Sequence, residues 1–226
     1  MSSPKQRDFD SSTLGTIEHW DSAYDKELAA FKDVGDVGEI WFGEDSQERI
    51  LDWIEGCEEI KPDDSIIDLG CGNGMILIEL SQRGYTNLTG VDYSAGAIEL
   101  AKSIAESNSI DSISFEVADL ICDDANSKYT CLGRKYKVCV DKGTYDAISL
   151  IPSDEILARR SYLHTLKTLM TVESFFVITS CNWTHEQLLE FFGTDFQLHD
   201  KIKTPSFMFG GQVGNTVTSL IFKLKS

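Results

Sequence analysis

Residues 65–74 read Ser-Ile-Ile-Asp-Leu-Gly-Cys-Gly-Asn-Gly, and this stretch decides the fold. Its apolar run of Ile66, Ile67 and Leu69 predicts a short buried strand, and residues 75–80 predict the start of a helix. Glycines stand at every second position between the two. Because glycine has no Cβ, a ligand can approach the main chain closely there, and the following helix offers unpaired N–H groups and the positive end of its dipole. The stretch therefore predicts a ligand site between a strand and a helix.

The spacing of the glycines separates two classes of ligand. A dinucleotide site has the pattern G-x-G-x-x-G, but Met75 stands where that pattern needs its third glycine. The loop reads D-x-G-x-G-x-G, which resembles the first motif of methyltransferases that use S-adenosylmethionine. Asp92 ends a predicted strand over 87–92 and is a carboxylate that can bind both hydroxyls of a ribose. Since NAD and S-adenosylmethionine both carry a ribose, the glycine spacing favours the methyl donor, with an ordinary glycine-rich turn as the alternative.

Length and composition bound the remaining possibilities. The 226 residues predict a single domain, 1–226, with residues 1–13 disordered and 14–60 forming a helical cap. A net charge of −17 repels nucleic-acid phosphates and favours either a basic partner or simply a soluble surface. The chain has six cysteines without a CxxC pair and four scattered histidines, so we predict no metal site. We also predict no membrane span, because none of its apolar runs is long enough. We expect a monomer in the cytoplasm, with the nucleus as an alternative location.

Predicted strands and helices alternate along the chain, which is typical of a doubly wound α/β fold. Helices are predicted from residue 16 to 31 and over 46–57, 75–83, 95–107, 154–170 and 185–192, and further strands over 112–118, 136–141, 174–180, 195–202 and 216–224. A polar stretch over 121–135 predicts an exposed loop. The last two strands are joined by a glycine-rich link without a helix, so we expect an antiparallel hairpin at the edge. The prediction is a seven-stranded, mostly parallel, Rossmann-like sheet.

Each of the first four predicted strands has an aspartate at its carboxyl end, either among its last two residues or directly after it. In open α/β sheets, ligands bind outside the carboxyl ends of the strands, where the strand order reverses. The four aspartates are therefore expected along one ligand-binding edge, although any single one could instead cap a helix or face solvent in a turn. They are Asp68, Asp92, Asp119 and Asp141.

Three segments together resemble the class I, seven-strand methyltransferases that use S-adenosylmethionine, and within them the protein-lysine methyltransferases. They are D-L-G-C-G-N-G at 68–74, G-V-D-Y-S at 90–94 and V-C-V-D-K-G-T-Y-D-A at 138–147. Two N-terminal segments are more particular, L-G-T-I-E-H-W-D-S-A-Y-D-K-E-L at 14–28 and G-D-V-G-E-I-W-F-G-E-D-S at 35–46. They resemble the group that methylates a lysine of translation elongation factor 1-alpha. The resemblance implies that fold and a protein substrate, while the negative charge and the lack of a long apolar run predict no nucleic acid or membrane partner.

The resemblance also implies roles for matching residues in binding the donor. Five residues would hold its methionine end: Asp68, Gly70, Cys71, Gly72 and Gly74. Asp92 would bind the ribose, and Tyr93, Asp119 and Leu120 would meet the adenine. Three residues of the N-terminal segment would close over the donor: Trp41, Phe42 and Gly43.

The acceptor side of the site is expected to follow the fourth strand. Asp141 would orient the incoming amine through hydrogen bonds, and Tyr145 would line the lysine channel together with the aromatic side chains of the cap. The better-known lysine methyltransferases have D-x-x-Y or E-x-x-Y here, whereas this chain places its tyrosine one position later. A small-molecule amine methyltransferase and a donor-binding scaffold subunit without catalysis are the alternatives.

Overall fold

The computed structural model describes residues 8–204, 206–209, 212–215 and 217–226. The strands are β1 (Ser65–Leu69), β2 (Asn87–Asp92), β3 (Ile113–Val117), β4 (Val138–Lys142), β5 (Phe175–Ser180), β6 (Phe196–Ile202), β7 (Ser206–Phe209), β8 (Gln212–Asn215) and β9 (Thr218–Leu224). The helices are α1 (Ile17–Val34), α2 (Glu44–Gly56), α3 (Met75–Gln82), α4 (Ala95–Ser107), α5 (Ala125–Lys128), α6 (Thr144–Ser149), α7 (Glu155–Leu169) and α8 (His185–Phe192).

Seven of the strands form one sheet in the order β3-β2-β1-β4-β5-β9-β6. The first five are parallel, and β9 runs antiparallel to both β5 and β6. The chain builds outward from β1 to β3 and then resumes at β4 on the other side, so the strand order reverses between β1 and β4. A ligand crevice is expected at the carboxyl ends of these two strands. The predicted seven-stranded α/β sheet with its terminal antiparallel pair is confirmed.

The apolar core has two halves, one on each face of the sheet. Successive residues of a strand point to opposite faces, so Ile66 lies in one half and Ile67 in the other. Helices α1 to α4 contribute to the first half, and α6 to α8 to the second. All six residues of β5 are buried, as expected for a strand that is covered on both faces.

The structure contains elements that the sequence pattern did not predict. Helix α6 has only six residues, too few to show a helical period. The loop predicted over 121–135 holds α5 and a 3₁₀ turn at Thr130–Gly133. The glycine-rich link between the last two sheet strands holds an antiparallel ribbon of β7 and β8, while Gly210 and Gly211 lie outside the described residues.

The N-terminal segment packs against the body of the protein. The Asp8 carboxylate forms an ion pair with Arg159 at 2.9 Å, and the Phe9 ring packs edge-on against Trp183. This differs from the predicted disorder of residues 1–13, of which the structure describes only 8–13. The two predicted cap helices are α1 and α2. Helix α1 begins after Thr16, whose hydroxyl accepts a hydrogen bond from the main chain of the first turn.

Two kinds of feature are absent from the described ranges. None of their helices is long and apolar enough to cross a membrane. These ranges also contain no group of three or more histidine, cysteine or acidic side chains arranged to hold a metal ion.

Replacing Thr184 by alanine is expected to lower the free energy of unfolding by about 1 kcal/mol. The Thr184 hydroxyl accepts from the Gln187 N–H, and the Gln187 side chain accepts from the Thr184 N–H, so the two residues form a capping box. Urea unfolding at pH 7 would measure the change. Glu190→Ala, on the exposed side of the same helix, is the matched control and should change stability by less than about 0.5 kcal/mol. Equal losses in the two variants would contradict the capping role.

Candidate active site

A cavity of about 410 Å³ lies at the carboxyl ends of the parallel strands. One side of it is formed by residues that follow these strands, and the other side by the N-terminal segment and the loop before α2. Its lining includes Gly70, Cys71, Gly72, Asp92, Tyr93, Asp119, Leu120, Trp41 and Phe42. Nine of the residues predicted to hold the donor therefore meet at one cavity, at the edge where the strand order reverses.

The glycine loop forms a cradle that side chains would fill. Gly70 and Gly72 both have left-handed backbone, with φ of 76° and 53°. A Cβ on Gly70 would lie 2.0 Å from Thr144 Oγ1, and one on Gly72 would lie 2.5 Å from the Tyr24 hydroxyl. The N–H groups of Gly70 and Cys71 bind the Val91 carbonyl, which fixes the loop to the end of β2. A ligand at this point can touch main chain directly.

Asp92 is held at the end of β2 with both oxygens facing N–H groups. Oδ2 accepts from the Gly72 N–H at 3.1 Å, and Oδ1 accepts from the Ser94 N–H at 2.9 Å. Burial raises the pKa of Asp92 to about 6, and these hydrogen bonds act in the opposite direction. Each carboxylate oxygen keeps a second lone pair, so the side chain can still accept hydrogen bonds from two hydroxyls of a ribose in the cavity.

The adjoining wall follows β2 and β3 and is mostly apolar. It is formed by Tyr93, Ala118, Leu120 and Ile121, together with Asp119. The Asp119 carboxylate accepts from the Ile121 N–H at 2.9 Å, which turns the chain at the end of β3. An aromatic base could lie against such a wall, and the adenine contact stays a prediction.

Two predicted donor contacts lie behind the cavity wall. Gly74 faces the packing between α4 and β3, where a Cβ would lie within 2.9 Å of both Phe115 and Ala101. A glycine at position 74 therefore allows α4 and β3 to pack closely there. Asp68 is buried within β1 and is not part of the lining, and burial raises its pKa to about 7 against the opposing effect of Lys142. Both residues thus lie outside the cavity lining.

Aromatic side chains close the cavity from the N-terminal side. The Trp41 ring packs edge-on against Trp20 at 5.0 Å between centroids. Phe42 has left-handed backbone, with φ of 67°, which is strained for an aromatic residue. Its ring fits against Gly143, where a Cβ would lie 3.0 Å from it. Gly43, predicted as a third contact, is instead the residue before α2 and is not part of the lining.

Two polar side chains tie this cap to the sheet. The Asn73 amide donates to the carbonyls of Val37 and Glu39, at 3.1 and 3.4 Å. The Lys142 ammonium donates to the Trp41 carbonyl at 3.0 Å. Burial lowers the pKa of Lys142, while the nearby carboxylates of Asp68 and Asp141 oppose that effect. The cap is thus fixed both to the glycine loop and to the end of β4.

Sequence reasoning missed several lining residues of this cap. Trp20 and Tyr24 were part of the apolar stripe of α1, which by spacing alone predicts packing. Only the fold brings the Tyr24 hydroxyl next to Gly72. The polar residues Asn73 and Lys142 lie within the segments 68–74 and 138–147, and this position was the one feature of the sequence that could have indicated their place at the site.

The structure corrects the expected placement of Asp141. Its carboxylate is fully buried and does not line the cavity. It accepts hydrogen bonds from the N–H groups of Thr144 and Tyr145, the first two residues of α6, and from the Tyr162 hydroxyl at 2.5 Å. Burial raises the pKa of Asp141 to about 7, against the effect of these donors. The side chain is occupied in starting α6, so this geometry gives it no contact with an incoming amine.

Tyr145 likewise lies away from the expected lysine channel. Its side chain is completely buried, and its ring packs among those of Tyr162, Trp183, Phe191 and Phe192, with centroid distances between 5.2 and 5.7 Å. It belongs to the core between α6, α7 and α8. The position of the tyrosine, one residue later than in the familiar motif, turns it to the inner side of α6.

The free energy of unfolding is expected to fall as the pH rises from 5 to 8. Burial raises the pKa of Asp68, Asp92 and Asp141 to about 7, 6 and 7, from an ordinary value of 3.8. Between the ordinary pKa and these raised values the folded protein holds protons that the unfolded chain has released. Each group therefore stabilises the fold fully below its ordinary pKa, and that contribution is lost as the pH rises to and through its folded pKa. Each titrating group contributes a slope of at most about 1.4 kcal/mol per pH unit.

Urea unfolding at pH 5, 6, 7 and 8 would measure this dependence. Asp141→Asn is the matched variant, because it removes one titrating group and should flatten the slope between pH 5 and 7, where Asp141 is protonated in the folded protein but ionised in the unfolded chain. An unfolding free energy that increases steadily over this range in the unmodified protein would contradict the expected direction.

The polar and apolar groups that line the cavity match those of S-adenosylmethionine. The glycine cradle accepts the amino-acid part, Asp92 is available to a ribose, and the wall at Tyr93 and Leu120 accepts a base. A parallel sheet of this strand order with a terminal antiparallel pair, carrying such a site, defines the class of Rossmann-like methyltransferases.

Comparisons with known proteins agree with this class. Residues 60–219 match the family described as a methyltransferase domain. A crystal structure of an S-adenosylmethionine-dependent methyltransferase from Anabaena variabilis superposes with a TM-score of 0.67 at 16% identity, covering 100% of this chain and 99% of that one. EEF1A lysine methyltransferase 2 is 48% identical in Danio rerio and 44% in Homo sapiens, over 97% and 98% of this chain and 91% of each relative. The chain therefore belongs to the EEF1A lysine methyltransferase 2 family.

Proposed function

We propose that this protein transfers the methyl group of S-adenosylmethionine to a lysine side chain of the translation elongation factor EEF1A. The observation that carries the proposal is the cavity itself. It runs from the glycine cradle past the carboxyl ends of β4 and β5, under an aromatic cap, and so has room for a second group beside the donor. The relatives named EEF1A lysine methyltransferase 2 support the identity of that second group.

The residues around the donor act by positioning it. S-adenosylmethionine supplies a methyl group that its positive sulfur already activates, so the task left to the protein is alignment. The main chain at Gly70 and Gly72 leaves room for the amino-acid part, and Asp92 fixes the ribose through hydrogen bonds. Tyr93 and Leu120 hold the base. Each of these contacts limits the directions in which the donor can present its reactive end.

The cap prepares the acceptor by excluding water. A lysine has an ordinary pKa of about 10.4, yet it must attack as the neutral amine. Apolar lining from Leu14, Trp20 and Trp41 disfavours the ammonium form by desolvation, as does a positive charge nearby. The hydrogen bonds from Asn73 to the Val37 carbonyl and from Lys142 to the Trp41 carbonyl hold the segment that carries Trp41 in place. The chain thus contributes a closed, aligned site for amine attack.

The expected partner is a protein with a basic surface. The net charge of −17 attracts positively charged surfaces and speeds their encounter, and it repels nucleic acid. We propose further that the enzyme works as a monomer, without a membrane partner, in the cytoplasm or also in the nucleus. Light scattering on the purified protein and imaging of the tagged chain in cells would test these two points.

A methyl-transfer assay tests the proposed function. Purified protein and labelled S-adenosylmethionine are mixed with an extract of cells that lack the enzyme, and Gly72→Arg serves as the blank. We expect one labelled protein, EEF1A, with the label mapped to a lysine by mass spectrometry. Label in a small-molecule or nucleic-acid fraction would agree with S-adenosylmethionine as the donor but would contradict EEF1A as the substrate. Bound donor without any transfer would indicate a scaffold subunit instead of an enzyme.

A further inference from the structure

The cavity contains a carboxylate that none of the steps above uses. Asp146 lies in the first turn of α6, is 5% exposed, and lines the cavity beside Thr144, Cys181 and Asn182. Its oxygens accept hydrogen bonds from Ser180 Oγ at 2.5 Å and from the Cys181 N–H at 2.8 Å. These bonds fix the carboxylate between the residues that follow β4 and those that follow β5.

Among the described residues, only neutral groups donate hydrogen bonds to the Asp146 carboxylate. No lysine, arginine or histidine in these ranges forms an ion pair with it. Burial raises its pKa, and the hydrogen bonds from Ser180 and Cys181 act against that effect. Buried carboxylates in proteins are usually paired with an opposite charge. A cation that enters the cavity would supply the missing partner.

The strand order places Asp146 on the far side of the glycine cradle from the ribose site. Asp92 ends β2, the cradle follows β1, and Asp146 follows β4, so two strand spacings, about 10 Å, separate the strands that carry the two carboxylates. A donor bound between the cradle and Asp92 leaves the β4 side of the cavity open. The apolar lining there, from Phe42 and Ile148, suits the four-carbon stem of a lysine.

We propose that Asp146 binds the ammonium group of the acceptor lysine as it enters the cavity. The inference rests on the proposed function and names the residue that recognises its substrate. Because a carboxylate favours the charged form of an amine, the role of Asp146 is recognition and orientation of the arriving lysine. The loss of a proton from the lysine ammonium group is favoured by a different feature, the desolvation of the amine under the cap.

The test measures whether Asp146 and the acceptor charge depend on each other. The acceptor lysine, located by the transfer assay, is changed in EEF1A to arginine or to methionine. Affinities for the enzyme are measured by calorimetry with S-adenosylhomocysteine in the donor site, so that no transfer occurs. We expect methionine to weaken binding to the unmodified enzyme about tenfold, and arginine to weaken it much less. In Asp146→Asn, lysine and methionine should bind equally well.

Ser180→Ala is the matched control. It removes the hydroxyl that binds Asp146 and that also accepts from the N–H groups of Asn182 and Trp183, but it leaves the carboxylate in place. A purely structural role for Asp146 predicts that Ser180→Ala and Asp146→Asn behave alike. Recognition by charge predicts that Ser180→Ala still prefers lysine to methionine.

Three results would overturn the inference while leaving the proposed function intact. They are equal affinity of the unmodified enzyme for lysine and methionine forms, a preference that persists in Asp146→Asn, and loss of the preference in Ser180→Ala. If Asp146→Asn does not bind the donor, Asp146→Ser is used in its place. If neither variant binds the donor, the inference is judged by whether the unmodified enzyme binds the lysine form of EEF1A more tightly than the methionine form. Failure of the proposed function would appear earlier, as absence of methyl transfer to EEF1A.

Discussion

Gly72→Ala is expected to weaken binding of S-adenosylmethionine between about tenfold and a hundredfold, and Gly72→Arg to abolish it. The added Cβ would lie 2.5 Å from the hydroxyl of Tyr24, a buried side chain of the cap helix α1. The left-handed backbone at residue 72 adds about 1–2 kcal/mol of strain for any residue with a Cβ. Together with a clash of about 1–3 kcal/mol, this displaces the N–H group that fixes Asp92.

Calorimetric titration with the donor would measure this loss, and Gly84→Ala separates its two causes. Gly84 follows α3, has φ of +94°, and has no atom within 4 Å of an added Cβ. It shares the backbone strain of Gly72 without the steric conflict. We expect Gly84→Ala to lower stability but to keep donor affinity within about twofold of the unmodified protein. Similar donor affinities for the two variants would show that the space at Gly72 is not part of the donor site.

The donor side of the site was predictable from sequence because its signals are local. The glycines of 70–74 are separated by single residues, and Asp92 is the last residue of a six-residue strand that is buried apart from its first residue. In each case neighbouring residues in the chain determine both the backbone shape and the end of the sheet to which the side chain belongs. Parallel pairing of β1 with β2 then brings Gly72 and Asp92 into hydrogen-bond contact.

The acceptor side was less predictable because it depends on contacts between distant parts of the chain. Asp141 stands at the end of a strand, just as Asp92 does, and the sequence alone predicts the same orientation for both. What separates them is Tyr162, 21 residues later on α7, whose hydroxyl draws the Asp141 carboxylate inward. Tyr24 and Asp146 are the converse cases, since only tertiary packing brings an α1 residue and an α6 residue into the cavity.

The strained backbone of Phe42 illustrates the same limit. An aromatic residue with φ of 67° is unfavourable in isolation, and no local rule would place it there. The conformation persists because Gly143 leaves a surface for the ring and because Lys142 holds the adjoining Trp41 carbonyl. Strain of this kind at a cavity wall is compensated by the surrounding structure, and it shows that the D-K-G-T segment serves the cap as well as the strand.

Asp141→Ala is expected to lower the free energy of unfolding by about 3–5 kcal/mol. The substitution leaves the Tyr162 hydroxyl and the N–H groups of Thr144 and Tyr145 buried without their acceptor. Each such donor costs about 1–3 kcal/mol when it is left unsatisfied. Because these N–H groups begin α6, the loss should also disturb Asp146 and the cavity wall next to it. Urea unfolding at pH 7 would measure the change.

Asp141→Asn distinguishes this structural role from a direct part in methyl transfer. Its amide oxygen can still accept from the two N–H groups, and its amino group can donate to the Tyr162 oxygen, so most of the network survives. We therefore expect Asp141→Asn to lose about 1–2 kcal/mol of stability and to keep kcat for EEF1A within about threefold of the unmodified enzyme below its unfolding temperature. A carboxylate that contacts the amine predicts the opposite combination. A well-folded Asp141→Asn with normal donor affinity and kcat reduced more than about a hundredfold would return Asp141 to the active site.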